Sequence, residues 1–389
     1  MRRKSLTCQI THAFASPAVI AGIFFLATVH LQGREVISTN DASKFLGAAS
    51  CATSSCHGGG GQNQNQFLVW SLRDFHSQRP FATLTSARSK QIADALPIKD
   101  PTVDSRCTVC HAPLQELPEA LRGEKLNSSE GVSCESCHGS AEGWLRRHTR
   151  PDFSHADRVA AGMRDLKNLY VRANTCVACH QTVETSLLKA GHPELIFELD
   201  GQSASQPRHW REKNNKNGVQ GWLVGQAAAL REMSWQLARS SERDEKLAAR
   251  CNALLWLLQK LDGANSRFPR LGAFPVRSAG GNYPAVQSAA DQLARSASEI
   301  QWSDDMTFSL LNTLAKVGED FRQPQLFTDQ HARRAERLVL ALDRLLASTP
   351  QPAADTTMNE LFKLTQSLPD FDPARFSATL DQFARAVTR

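Results

Sequence analysis

A chain of 389 residues with 45 Lys and Arg against 39 Asp and Glu carries a formal charge of +6. That surplus is too small for its length to argue for a nucleic acid or another polyanion as partner. The 10 cysteines and 12 histidines are the stronger signal, because eight of those cysteines fall into four short boxes.

In chain order, Met1-Arg2-Arg3-Lys4 is followed by an uninterrupted apolar run from Ala18 to Val29. A membrane span needs roughly 20 apolar residues, so this shorter run with a basic flank predicts an export leader over residues 1–32. Ala27-Thr28-Val29-His30-Leu31 offers no clean small-x-small cleavage site. Two readings stay open, a cleaved signal peptide and an uncleaved inner-membrane anchor. Cys8 lies inside the leader and is given no role. Residues 33–50 read as a linker.

From residue 51 the boxes follow one another: Cys51-Ala-Thr-Ser-Ser-Cys56-His57, Cys107-Thr-Val-Cys110-His111, Cys134-Glu-Ser-Cys137-His138 and Cys176-Val-Ala-Cys179-His180. Two thiols that add to the vinyl groups of a haem, followed at once by an imidazole that reaches its iron, require this order. Zinc sites and cystine staples also use paired cysteines, but they do not need a histidine directly after each pair. Chance would place one after all four boxes roughly once in a million. The first box has four residues between its cysteines instead of two, and its alternative is a Cys51–Cys56 disulfide. The expectation is four covalently bound c-type haems, attached through these eight cysteines, with His57, His111, His138 and His180 as proximal iron ligands. Such attachment takes place outside the cytoplasm, which agrees with the leader and places the protein in the periplasm.

Over residues 51–201 there is little hydrophobic periodicity and much Gly, Ser and Pro. The porphyrins themselves are expected to supply the packed apolar matter of this tetrahaem domain. Eight propionates and about four positive charges on ferric cores would bring +6 to roughly +2, and Arg146, Arg147 and Arg150 are suited to neutralising propionates. A second axial imidazole is needed for each iron that changes only its oxidation state. His76, His148 and His192 are the leading distal candidates, with His155 and His209 behind them. Three strong candidates for four irons leave one iron open.

The segment from about residue 45 to 195 resembles the tetrahaem cytochrome c-554 family. The resemblance is carried by Trp70 with Asp74-Phe75-His76, by the isolated box at Cys107, by Gly131-Val132-Ser133-Cys134-Glu135-Ser136-Cys137-His138-Gly139 with His148 ten residues on, and by the fourth box. It implies a predominantly helical periplasmic electron carrier with stacked haem pairs. It also implies that His76 and His148 serve haems other than their own, and that the haem held by His111 is five-coordinate.

A polar linker over residues 202–218 precedes a change of character. Leu223, Ala227, Leu230 and Leu237 share one helical stripe, Leu247, Cys251, Leu254, Leu258 and Leu261 a second. Met306, Leu310, Leu314 and Val317 form a third, and Ala335, Leu338, Leu342 and Leu345 a fourth. A last helix opens at Asp372-Pro373 with Phe376, Leu380, Phe383 and Val387 on one face. Residues 219–389 therefore predict a helical bundle, with Cys251 as a small core residue and His331 on the surface. The loop from Ala264 to Tyr283 is expected to lay Phe268 and Phe274 against a macrocycle edge. The fold class is mainly α: a loop-rich multihaem cytochrome c domain followed by an α-helical bundle. The function expected is electron relay between redox protein partners in the periplasm or at the membrane. The competing reading is an enzyme acting on a small nitrogen oxide at one five-coordinate haem; a haem-based sensor is a third.

Overall fold

The computed structural model describes residues 43–61, 64–210, 218–240, 244–272, 274, 282–323, 326–366 and 369–387. The leader with Cys8, the first part of the 33–50 linker and residues 211–217 of the second linker lie outside them. Among the described residues, none of the helices is long and apolar enough to cross a membrane.

The described chain is helical, and the bridge between Phe45 and Arg122 is its one isolated β contact. Up to residue 205 the helices are short, as the irregular hydrophobic pattern predicts. They include Gln66–Arg73, Ser105–His111, Cys134–His138, Leu169–His180 and Leu199–Ser205. Side-chain caps set where several begin. Asp104 accepts the Arg106 N–H, and Asn168 accepts those of Tyr170 and Val171, each satisfying amides that a helix start leaves free.

The long helices follow: Gly218–Arg239, Glu245–Lys260, Tyr283–Glu299, Asp304–Ala315, Thr328–Ser348, Asp355–Leu364 and Pro373–Ala386. Gly218–Arg239 is the axis of this part. Every residue from Val219 to Ser234 is buried, the pattern of a helix surrounded on all sides. Two of its buried polar side chains are paired: the Gln220 amide donates to the carbonyls of Ala297 and Ile300 at 2.8 Å each, and Arg231 meets Glu232 and Asp291 at 2.8 and 2.7 Å.

The bundle and the box region share one core. Leu169, Ala173 and Val177 of the fourth-box helix, with Phe197 and Leu199, join Trp222, Leu223 and Leu230 in a single apolar cluster. Leu199 sits so close to Gly225 that an added Cβ there would lie 2.7 Å from the Leu199 Cβ, so a larger residue would push the two segments apart. Polar ties reinforce the joint: Arg337 to Glu198 at 3.5 Å, Arg344 to Asp200 at 2.6 Å, and Tyr170 Oη to Asp291 at 2.7 Å. The described residues accordingly cluster as one compact unit. Polar composition marked residues 202–218 as a linker, but its first residues are the end of a helix docked on the bundle.

Three residues depart from the sequence reading. His331, expected at the surface, is 3% exposed; its Nε2 faces the Gln323 carbonyl at 3.1 Å and its ring packs on Phe321. Phe268, expected on a macrocycle, stacks on Trp302 at 6.0 Å, and Phe274 packs on the bundle core. Periodicity cannot assign them, since His331 lies on a helix flank and the two phenylalanines in a loop. Cys251 is a buried core residue with Ser234 Oγ 3.6 Å from its sulfur.

The Asp291 cluster predicts a pH response. Burial pushes its carboxyl up, but hydrogen bonds from Arg295, Arg231 and Tyr170 outweigh it and hold the carboxyl below its ordinary range. A depressed folded pKa contributes stability above the unfolded value of about 4, which is lost as pH falls through the folded value. Thermal unfolding from pH 6 to pH 3 should therefore show an acid loss that is smaller in Asp291→Asn; an identical loss in both proteins would rule this cluster out as its source.

Candidate haem centres

In the second, third and fourth boxes the two cysteines are three apart and the histidine follows, on the last turn of Ser105–His111, Cys134–His138 and Leu169–His180. Helical spacing brings residues i, i+3 and i+4 onto one face, so each box presents two thiols and an imidazole together. The first box cannot do this in one turn. Instead, Cys56 N–H returns to Thr53 O at 2.9 Å and His57 N–H to Cys51 O at 3.2 Å. The two extra residues loop out, and His57 is brought back beside Cys51. The nine described cysteines are all free thiols, so the Cys51–Cys56 disulfide is not formed here. Burial pushes Cys137 up to about 11 and Cys176 up to about 12, which keeps both as neutral thiols in this environment.

Opposite each box histidine stands a second imidazole. The ring centroids of His57 and His148 are 6.0 Å apart, those of His76 and His180 5.9 Å, those of His111 and His192 6.5 Å, and those of His138 and His209 6.5 Å. An imidazole nitrogen lies about 2 Å from a metal it binds, and the ring centre about 1.1 Å behind it. Two axial imidazoles on one metal should then have centroids about 6.3 Å apart. All four separations fall around that value.

The rings are also turned the right way. In six of the eight, Nδ1 faces an oxygen acceptor: Gln66 Oε1 for His57, Pro80 O for His111, Leu145 O for His148, Pro193 O for His192, Pro207 O for His209 and Asp74 Oδ1 for His76, while the Gln202 side-chain amide lies 3.2 Å from His180 Nδ1. A histidine whose Nδ1 is occupied offers Nε2 to a metal, the usual arrangement around ligated iron or zinc. Burial pushes His138 and His180 down to about 4 and also depresses His111 and His209. These rings stay neutral, the form that can donate a lone pair. The indole N–H groups of Trp144 and Trp210 are buried without a partner, each edge-on to a facing imidazole, His148 or His209. Orphan donors in such places fit an acidic group such as a porphyrin propionate. Among the described residues, three or more His, Cys, Asp or Glu side chains nowhere converge, whereas four-donor zinc would need them to.

The histidine count leaves one iron open, and the resemblance assigns that place to His111. In the structure His192 faces His111, and His209, ranked low because it sits near a polar stretch, faces His138. His155 pairs instead with Asp165 at 3.0 Å.

Other supporting residues carry weaker sequence signals. Glu135, the first spacer inside the third box, is 1% exposed and accepts the amides of Leu46, Gly47 and Ala141 at 2.9, 2.7 and 2.7 Å. With Glu130, which accepts the Ala48 N–H at 3.3 Å, it holds the strip after residue 43 against the box. Gly131, at φ +76°, lies so close to the chain at Ser77 that an added Cβ would fall 2.1 Å from its carbonyl. Beside it the Val132 N–H donates to His76 O at 2.8 Å. The third-box loop thus fixes the backbone that carries His76.

The boxes touch one another in a fixed order. The thiols of Cys110 and Cys179 are hydrogen-bonded, as are those of Cys51 and Cys134, and Cys137 is within electrostatic reach of Cys176. Second, fourth, third and first boxes form one file.

Residues 33–139 match the family described as cytochrome c554 and c-prime. That segment contains the first three boxes and ends just past His138; the fourth box and His148, His192 and His209 lie beyond it. Neither a curated protein nor a solved structure matches the chain.

Proposed function

We propose that the exported protein is a c-type cytochrome of electron transfer with covalently bound haem, a tetrahaem relay whose irons are all bis-histidine, a reading supported by the match of residues 33–139 to the cytochrome c554 and c-prime family. The observation that carries the reading is the set of four facing imidazole pairs at 5.9–6.5 Å. A bound haem supplies one-electron chemistry at an iron whose two axial positions are filled.

The chain's own residues do the rest. Cys51 and Cys56, Cys107 and Cys110, Cys134 and Cys137, and Cys176 and Cys179 anchor the groups. His57 with His148, His111 with His192, His138 with His209, and His180 with His76 fill the axial positions. The file of boxes supports passage along the molecule, and the shared core with the bundle holds the fourth box rigidly. Redox protein partners in the periplasm or at the membrane would deliver and remove electrons, with the leader as signal or anchor. An enzyme of small nitrogen oxides rested on an open iron at His111, and with His192 facing that ring it loses its support.

The haem count is tested by mass. Denatured exported protein should retain its colour, and its intact mass should exceed the processed polypeptide by four haem masses. Three would remove the first box, and none would end the proposal.

A further inference from the structure

Asp74 is the C-cap of the helix Gln66–Arg73, where the helix dipole disfavours an acid, and it is 4% exposed. A buried carboxylate at that end is costly unless donors compensate it. It has three: the His76 backbone N–H and Nδ1 on Oδ1, each at 2.9 Å, and the Gln206 amide on Oδ2 at 2.9 Å. The backbone bond alone is an ordinary Asx turn, which an asparagine would form equally well. The bond to Nδ1 is different, because the other engaged Nδ1 atoms face carbonyls or side-chain amides.

From this contrast, and resting on the ligation proposed above, we infer that Asp74 is a positioning residue that sets the haem anchored by Cys176 and Cys179 apart from the others. By drawing on the Nδ1 proton it makes His76 a stronger donor, and its negative charge favours the ferric state. Carboxylate partners of ligating histidines raise ligand basicity, and hydrogen bonding around the iron is one of the levers on a haem potential. The site opposite His180 is therefore the one most strongly held oxidised by its ligand shell. Gln206 moderates the effect by taking up the second oxygen of the carboxylate, which ties the residues after the Leu199–Ser205 helix to the redox behaviour of this site.

The test is a spectroelectrochemical titration of the holoprotein with EPR of the oxidised state. Asp74→Asn keeps the turn and removes the charge. It should raise one of the four potentials by about 59 mV, a tenfold shift in that site's oxidised-to-reduced ratio for a one-electron couple, with the iron still low-spin but its g-values changed. Gln206→Ala should move the same potential the other way, and it decides the matter if Asp74→Asn does not assemble. Four unchanged potentials, or four moved equally, would overturn the inference. His76→Ala is the control: if it creates no high-spin iron, the ligation itself fails, whereas high-spin iron there with unmoved potentials in the Asp74 and Gln206 variants sinks only the role of Asp74.

Discussion

His209→Ala is expected to turn one haem of four high-spin and to create a site for about one CO per protein, because His138 then has no facing imidazole. The change should be confined to the haem held by Cys134 and Cys137. His209 is fixed by its place in the fold: its Nδ1 lies 3.4 Å from the Pro207 carbonyl and its ring edge-on to Trp210 at 5.2 Å. Removing it leaves no other described imidazole facing His138. The comparison variant is His155→Ala, where the lost partner is Asp165 and the spectrum should not change. Visible and EPR spectra of the oxidised proteins, with CO titration of the reduced ones, separate the two. An unaltered spectrum in His209→Ala would remove it from the ligand set.

Glu135→Ala is expected to cost about 3–5 kcal/mol of stability, the scale of breaking a buried charged hydrogen-bond set. Burial raises this carboxyl, and the three amides that donate to it pull it back down only in part. Without it, the amides of Leu46, Gly47 and Ala141 are left inside without acceptors, and the strip after residue 43 loses its hold on the third box. Glu135→Gln retains one oxygen and should lose less. Denaturant unfolding followed by haem absorbance measures both; a loss under about 1 kcal/mol in the alanine variant would mean that water readily replaces the carboxylate.

The four boxes were legible in the sequence because their chemistry is local: two thiols and an imidazole must be close along the chain to meet one porphyrin. The helices of the bundle were legible too, since Leu254 and Leu258 in one, and Leu310 and Leu314 in another, repeat with the helical period. Distal ligands obey no such rule. His209 reaches His138 across 71 positions through tertiary packing, and nothing in Pro207-Arg208-His209-Trp210 announces it. Asp74 and Glu135 had faint signals, an acid two before a ligand and an acid inside a box. Their burial, which gives them their effect, depends on segments far away. The joint between the box region and the bundle escaped for a similar reason: Leu199 and Phe197 stand in a stretch with no periodicity, and only the fold shows them entering the core beside Trp222.

The central claim is that each of the four irons has two imidazoles, and the spin state of the oxidised protein tests it most directly. Quantitative EPR of the exported, fully oxidised holoprotein should show low-spin ferric haem only, integrating to four spins or to fewer where neighbouring centres couple. A high-spin signal near g = 6 amounting to about one haem in four would contradict the account and restore an open iron opposite His111.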